Sequence, residues 1–387
     1  MSTTSPDSFE IVIPTLGGRE RYLADALRSC LAQPYPGLSV LISNNGGSPE
    51  VRALVESFSD DRVRYVETDR ILPMPVHWDF ALAHSAADIV SIIGDDDALM
   101  PHAIPTVAAA FSREPRLECI THRPAQYYWP DFPVEDYRNC FSIKGGSGHL
   151  TIQQTKPILE EVARFTEWYG RLPFLYHGFV RRSALDRIRA AQGGRVFLRV
   201  APDVYSDLAL AAAMDSFGVI DDCLTIGGQG ASSTGINYSM NSEIGRRFMV
   251  DMPEDLIPKI SHHSIGLHLY EYLEKIRGIY GLRREHAIVW KSFFGLVARD
   301  AVRKSENRKE ILDDLVKVCG IEYPAPIAAA SRIAAAILNV GWVATGLAGI
   351  LKSREQAVMK QWRNAAAELD AHSVWTLAQK LGPEAVA

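Results

Sequence analysis

Three consecutive aspartates, Asp95, Asp96 and Asp97, follow an apolar run over residues 89–93, with only Gly94 between. Carboxylates about 4 Å apart repel by about 1 kcal/mol in water and about 4 kcal/mol at an effective dielectric of 20. A cluster delivered from the interior of a sheet therefore calls for a cation. Hard oxygen ligands suit Mg2+ or Mn2+, which take one or two carboxylates and complete their shell with phosphate oxygens and water. An ion held in this way stabilises the charge that develops on a departing diphosphate. The other acidic pairs, Asp60-Asp61, Asp221-Asp222 and Asp313-Asp314, lie in turn or helical contexts that water can solvate.

The elements that must position the triplet alternate in type. Short β-branched runs at 9–14, 38–43, 63–66, 89–93 and 117–121 read as strands. Helical spacing fills the intervals at 19–33, 50–58, 76–85 and 103–111. Alternation of this kind implies βαβ units and a mostly parallel sheet flanked by helices, an α/β Rossmann-like arrangement. Ligands bind such sheets at the carboxyl ends of the strands, where the aspartates and the turn Asn44-Asn45-Gly46-Gly47-Ser48 both fall. A helix is expected at 205–217, a strand near 219–226 and a Gly/Ser-rich connection at 227–235, with helical pattern from about 240 onward.

The segments FEIVIPTLGGRERYLADALRSCLAQ, LISNNGGS and WDFALAHSAADIVSIIGDDDALMP resemble the family 2 glycosyltransferases of GT-A fold. The resemblance implies a catalytic domain over residues 1–235 followed by a helical region over 236–387. It implies an inverting transfer of a sugar from a nucleoside-diphosphate sugar to a saccharide or lipid-linked saccharide, with Mn2+ or Mg2+ as cofactor. Carried over by position, Pro14 and Thr15 border the nucleotide, and Arg19 takes the place of the family's basic residue. Asn44 or Asn45 stands near the base, where an amide oxygen accepts from a uracil N3–H, so a UDP-linked donor is favoured. Asp95 and Asp96 face the donor, and the metal ligands are Asp97 first and Asp95 second. The catalytic base falls on Asp203, with Asp207 one helical turn on as the second candidate.

Composition sets the remaining bounds. The chain has 387 residues, enough for roughly two domains, and its 47% hydrophobic and 22% charged content is that of a globular protein. A net charge of -5 gives no pull toward nucleic acid. Five cysteines with no CxxC pair argue against a zinc site or disulfide framework and favour a reducing cytoplasm. The first eight residues lack the basic start and apolar core of a signal peptide.

Residues 277–309 carry nine basic side chains against three acidic ones, and 333–351 run without a charge. A buried helix is the expectation for the latter. The alternative is peripheral contact with the inner face of an anionic membrane through 277–351. His262, His263 and His268 read as surface histidines. Two rival functions are a sugar nucleotidyltransferase, from the Gly17-Gly18-Arg19 turn, and a non-catalytic GT-A binding or scaffolding subunit. The second is motivated by Leu16, Gly94 and Pro202, which depart from the family's usual aromatic and acidic residues.

Overall fold

A computed structural model of the chain describes residues 7–239, 252–260, 264–282, 288–303, 308–322, 367, 369 and 371–381. The expected alternation is present. Strands β1 (Phe9–Leu16), β2 (Leu38–Asn45), β3 (Val63–Glu67) and β4 (Ile89–Ile92) are joined by helices α1 (Glu20–Leu31), α2 (Pro49–Ser57) and α3 (Met74–His84). In α1 the residues Leu23, Ala26, Leu27 and Cys30 recur on one face and are all buried, whereas Arg21 and Arg28 on the other face are exposed. Ser48 caps α2, accepting from Val51 N at 3.4 Å, and Pro49 fills the first helical position, where no backbone donor is needed.

After β5 (Ala98–Leu99) and α4 (Ala103–Arg113) come β6 (Cys119–Thr121), β7 (Ala125–Tyr128), β8 (Cys140–Ser142) and β9 (Leu150–Gln154). They are followed by α5 (Thr155–Ala163), β10 (Phe179–Arg181), α6 (Arg182–Ala191), α7 (Pro202–Ala213), β11 (Ser216–Ile220), β12 (Thr225–Gln229) and α8 (Thr234–Ser239). Eight strands form one mixed sheet in the order β3-β2-β1-β4-β10-β6-β11-β9, and four form a second in the order β5-β12-β7-β8. β1 pairs parallel with β2 on one side and β4 on the other. The chain therefore reverses its direction of travel across the sheet at the β1/β4 boundary, the position where open α/β sheets bind ligands. Thr15 and the aspartate triplet lie at this boundary.

Two expected boundaries shift. The helix expected at 205–217 begins earlier, at Pro202, which suits a first helical position, and stops at Ala213 because 216–220 pair as β11 with β9 and β6. The connection at 227–235 is in part a strand. Residues 225–229 pair parallel with β7, where the glycines leave the room that a close backbone approach needs.

The C-terminal helices α9 (Ile265–Tyr280), α10 (Trp290–Arg303) and α11 (Arg308–Glu322) share a core with the sheet layer, joining Tyr272, Leu273 and Phe293 to Tyr205 and Leu208. Helix α12 (Val374–Lys380) buries Val374 and Leu377 beside Tyr22 and the second sheet. His268 is buried on α9 and bonded to the Tyr238 hydroxyl at 3.1 Å, which corrects its reading as a surface residue. Packing against Tyr272 explains the difference. His262, His263 and the uncharged segment 333–351 lie outside the described residues, as do Arg283, Arg284 and Lys304 of the basic stretch. Among the described residues no helix is long and apolar enough to cross a membrane. Cys30, Cys119, Cys140 and Cys223 are buried free thiols.

His77 of α3 lies under β2, 2.9 Å from Ser43 Oγ, and burial lowers its pKa from the usual 6.5 to about 4. Below pH 6.5 the unfolded chain takes up a proton that the folded chain refuses. Its contribution to stability is therefore lost as the pH falls from about 6.5 toward about 4. Relative to His77→Gln, wild type should lose about 1.4 kcal/mol per pH unit over that window in urea unfolding. Parallel pH profiles for the two proteins would place the proton elsewhere.

Candidate active site

Gly17 and Gly18 turn the chain at the end of β1, Gly18 with φ of 88°, and bring Arg19 to the entry of α1. From there its side chain reaches back across the sheet edge. Nε lies 2.8 and 2.7 Å from the two Asp95 oxygens, and Nη2 lies 2.5 Å from Asp95 Oδ1 and 3.3 Å from Asp96 Oδ2. Nη1 donates to the Ser232 carbonyl. Thr15 Oγ1 donates to Asp95 Oδ2 at 2.6 Å. Arg19 and Asp95 are both buried, and this fork geometry is the one in which arginine binds carboxylate best.

Asp97 is held from three other directions. Gly94 N donates to Oδ2 at 2.6 Å, the Tyr176 hydroxyl to the same oxygen at 2.6 Å, and Gly228 N to Oδ1 at 2.8 Å. His177 Nε2 stands 3.4 Å away. Burial drops the His177 pKa to about 3, so the ring is neutral and this contact is not an ion pair. Asp96 accepts from the Ser233 hydroxyl through Oδ2, and its backbone carbonyl accepts from Trp129 Nε1 at 3.1 Å. Its Oδ1 accepts from no described residue. Gly94 leaves room beside that oxygen, since a Cβ there would lie 2.8 Å from both Asp96 Oδ1 and the Tyr176 hydroxyl. Burial pushes the Asp96 and Asp97 carboxyls up, with Arg19 opposing the rise at Asp96.

The sequence-predicted residues thus divide into two groups. Thr15, Arg19, Asp95, Asp96 and Asp97 are brought together. However, Thr15, Arg19, Asp95 and Asp97 have their polar groups turned on one another or on the backbone. The three aspartates together offer one uncommitted oxygen, on Asp96 rather than on Asp97 or Asp95. Asn44 and Asn45 reach the same sheet edge, but their amides are used locally. Asn44 Nδ2 donates to Ser48 O and the Tyr65 hydroxyl at 2.9 and 2.7 Å. Asn45 clamps both backbone groups of Leu72, giving to its carbonyl at 2.9 Å and taking from its N–H at 2.8 Å. The exposed rim beside partly exposed Pro14 and Leu16 is made instead by Gly17, Gly18, Gly46, Arg70 and Ile71, the last 62% exposed.

Asp203 sits in the first turn of α7, one residue past Pro202, and is not the N-cap, which is Ala201. Burial raises its carboxyl. Asp207 is more deeply buried, with Oδ1 unpartnered among the described residues. Burial, and then the charge of Asp203, pushes its carboxyl well up. Tyr176 links the two constellations. Burial comes first in raising its pKa, followed by the charges of Asp97 and Asp96, with Asp203 also contributing.

Sequence reasoning missed Tyr176, Ser233, Trp129 and Gly228. The signals were present as aromatic runs at 127–129 and 174–179 and a Gly/Ser run at 227–235, but a run does not say what it faces. At Gly228 a Cβ would meet the Asp96 carbonyl at 1.7 Å, so only glycine fits.

A metal cage of three or more His, Cys, Asp or Glu is absent among the described residues. A divalent ion here would draw one oxygen from Asp96 and the rest of its shell from diphosphate and water, which is how Mg2+ is usually held.

Residues 10–187 match the profile described as glycosyl transferase family 2. None of the curated proteins matches the sequence. Among solved structures the chain is similar to S. aureus TarS 1-349 in complex with UDP-GlcNAc, at 12% identity and a TM-score of 0.49 over 86% of this chain and 92% of that one. It is also similar to the mannosyltransferase PcManGT from Pyrobaculum calidifontis in complex with GDP-Man and Mn2+. That match has 13% identity and a TM-score of 0.44 over 94% and 87%.

Arg19→Gln would leave two buried carboxylates without their cation. It should cost about 3–5 kcal/mol in chemical denaturation. Arg52→Gln, which removes a half-exposed partner of Glu67, should cost less than about 1 kcal/mol. Equal losses would show that the Arg19 cluster is not buried as described.

Proposed function

With residues 10–187 a family 2 glycosyltransferase domain, we propose that the chain transfers a sugar, with inversion, from a nucleoside-diphosphate sugar to a hydroxyl of a saccharide or lipid-linked saccharide. The observation that carries this reading is the single uncommitted oxygen of Asp96. It lies in a carboxylate cluster, at the switch point of the sheet, whose other oxygens each accept at least one hydrogen bond among the described residues. A Mg2+ or Mn2+ ion bound there supplies positive charge to the donor diphosphate, and this supports Asp96, in place of Asp97 and Asp95, as its protein ligand. Arg19 and Thr15 then act by holding Asp95, and Asp97 by fixing Gly94, Tyr176 and the β12 backbone.

The nucleotide lies along the Gly17–Gly18 and Gly46–Ser48 turns, with Leu16 and Ile71 as apolar surface for the base and Arg70 free to meet a phosphate. With Asn44 and Asn45 engaged locally, these groups do not distinguish a UDP-linked donor from another, and the titration below decides the nucleobase. Asp203 is the base. It takes the proton from the acceptor hydroxyl as that oxygen bonds to the anomeric carbon. The bond from that carbon to the diphosphate oxygen breaks on the opposite face, and the nucleoside diphosphate leaves. Asp207, whose carboxyl is pushed well up by burial and then by the charge of Asp203, is the less suited of the two to take this proton.

The saturation of Asp95 and Asp97 favours one rival, a binding subunit without turnover, and the same experiment separates the two. UDP, GDP and dTDP titrated calorimetrically with Mn2+ should give binding of one nucleotide that EDTA weakens. Asp96→Asn should lose the metal-dependent part, about tenfold or more. Asp203→Asn should keep donor binding and lose transfer by at least about a hundredfold. Folded protein that binds none of the three nucleotides sinks the catalytic reading, and an active Asp203→Asn removes that residue from its role.

A further inference from the structure

We infer that the C-terminal helices hold a second ligand site, built for a small compound that carries both a phosphate and a free hydroxyl. Between α9, α11, residue 199 and the 252–260 segment lies a cavity of about 400 Å3, within the range of small-molecule pockets. Four of its lining residues are basic: Arg199, Lys259, Lys275 and Lys317. Of the acids, Glu274 is paired with Arg277, and Asp314 adds its charge near Glu271. The cations outnumber the free acids, so the cavity favours an anion.

Arg199 Nε and Glu271 Oε2, on lining residues, are buried and lack partners among the described residues. Glu271 is only 5% exposed, and its other oxygen accepts from Lys259 N at 2.9 Å. Arg199 is anchored through Nη1 to the Leu198 carbonyl at 2.7 Å and the Asp255 carbonyl at 3.4 Å, and neither bond uses Nε. Buried polar groups are almost always satisfied, and an orphan donor beside an orphan acceptor signals a missing partner that can answer both. A bare phosphate would satisfy the arginine and leave the glutamate without a donor. A neutral polyol would do the reverse. A phosphate oxygen on Arg199 with a hydroxyl donating to Glu271 satisfies the pair.

The chain ties the cavity to the start of α7. Arg199 precedes Asp203 by four residues. Tyr272, next to Glu271 on α9, accepts from Ala201 N at 3.1 Å at the start of α7. A ligand here would therefore brace the turn that carries Asp203. The phosphate could belong to the acceptor itself or to a free metabolite, and only the first of these rests on the glycosyltransferase reading.

The test uses the full chain and three probes: glycerol 1-phosphate, inorganic phosphate and glycerol. Calorimetry should give binding of glycerol 1-phosphate, weaker binding of phosphate and none of glycerol. Arg199→Gln and, separately, Lys275→Gln should weaken glycerol 1-phosphate, the arginine change by about tenfold or more. Glu271→Gln should weaken glycerol 1-phosphate and leave phosphate unchanged. Each variant is first shown to unfold cooperatively, and the lysine variant stands in if the arginine variant does not fold. Incubation with a nucleotide-sugar and mass spectrometry of the probe distinguishes the sources: a glycosylated probe marks an acceptor, and a probe recovered unchanged marks a free ligand. No binding of either phosphate by wild type, or equal binding in Arg199→Gln and Lys275→Gln, overturns the site. Nucleotide binding in the same preparation keeps that failure distinct from failure of the catalytic reading.

Discussion

The arrangement at the sheet edge depends on how three adjacent carboxylates can be buried at the end of one strand. Each would cost several kcal/mol if left without partners, and together they repel. One cation, Arg19, answers two of them at once through its fork, and backbone donors with a tyrosine hydroxyl answer the third. The partners come from distant parts of the chain: α1, the turn after β12, the Tyr176 segment and the backbone of β12 itself. The triplet is thus a tertiary knot and not a loop of solvated acids.

This requirement accounts for the small second sheet. β12 has to run close enough for Gly228 N to reach Asp97, and its pairing with β5 and β7 holds it there. The closeness is possible only because residue 228 has no side chain. The turn that follows brings the Ser232 carbonyl to Arg19 and the Ser233 hydroxyl to Asp96. The Gly/Ser composition of 227–235 therefore records close backbone approach, with the flexibility of such residues suppressed by their contacts.

The strands and helices up to Thr121 were legible because local pattern decides them. Apolar runs of four to eight residues bounded by turn residues read directly as buried parallel strands. The triplet was legible for the same reason, being the end of such a run. What each carboxylate does was not legible, because adjacent residues on a turn point in different directions and, Gly94 apart, their partners lie 76 to 137 residues away in sequence. Asn44 and Asn45 show the same limit. Their position at a strand end is a local fact, whereas the capture of Asn45 by the Leu72 backbone depends on where the loop after β3 returns.

Asp203 and Asp207 carry the argument one step further. Both are carboxyls raised by burial on one face of α7, yet they differ in what surrounds them. Asp207 lies near Cys119 of β6 and Tyr169, and its unpartnered oxygen makes ionisation more costly there. Asp203, a turn nearer the helix start, is half-buried and takes stabilisation from backbone N–H groups of the first turn, where the helix dipole favours negative charge. Two like groups four residues apart thus meet different surroundings, and both carboxyls are pushed up by burial, the second well up. Because α9 packs on α7 and Tyr272 accepts from Ala201 N, the helical region helps to set that difference. The C-terminal helices thereby hold the turn from which the α7 carboxyls project.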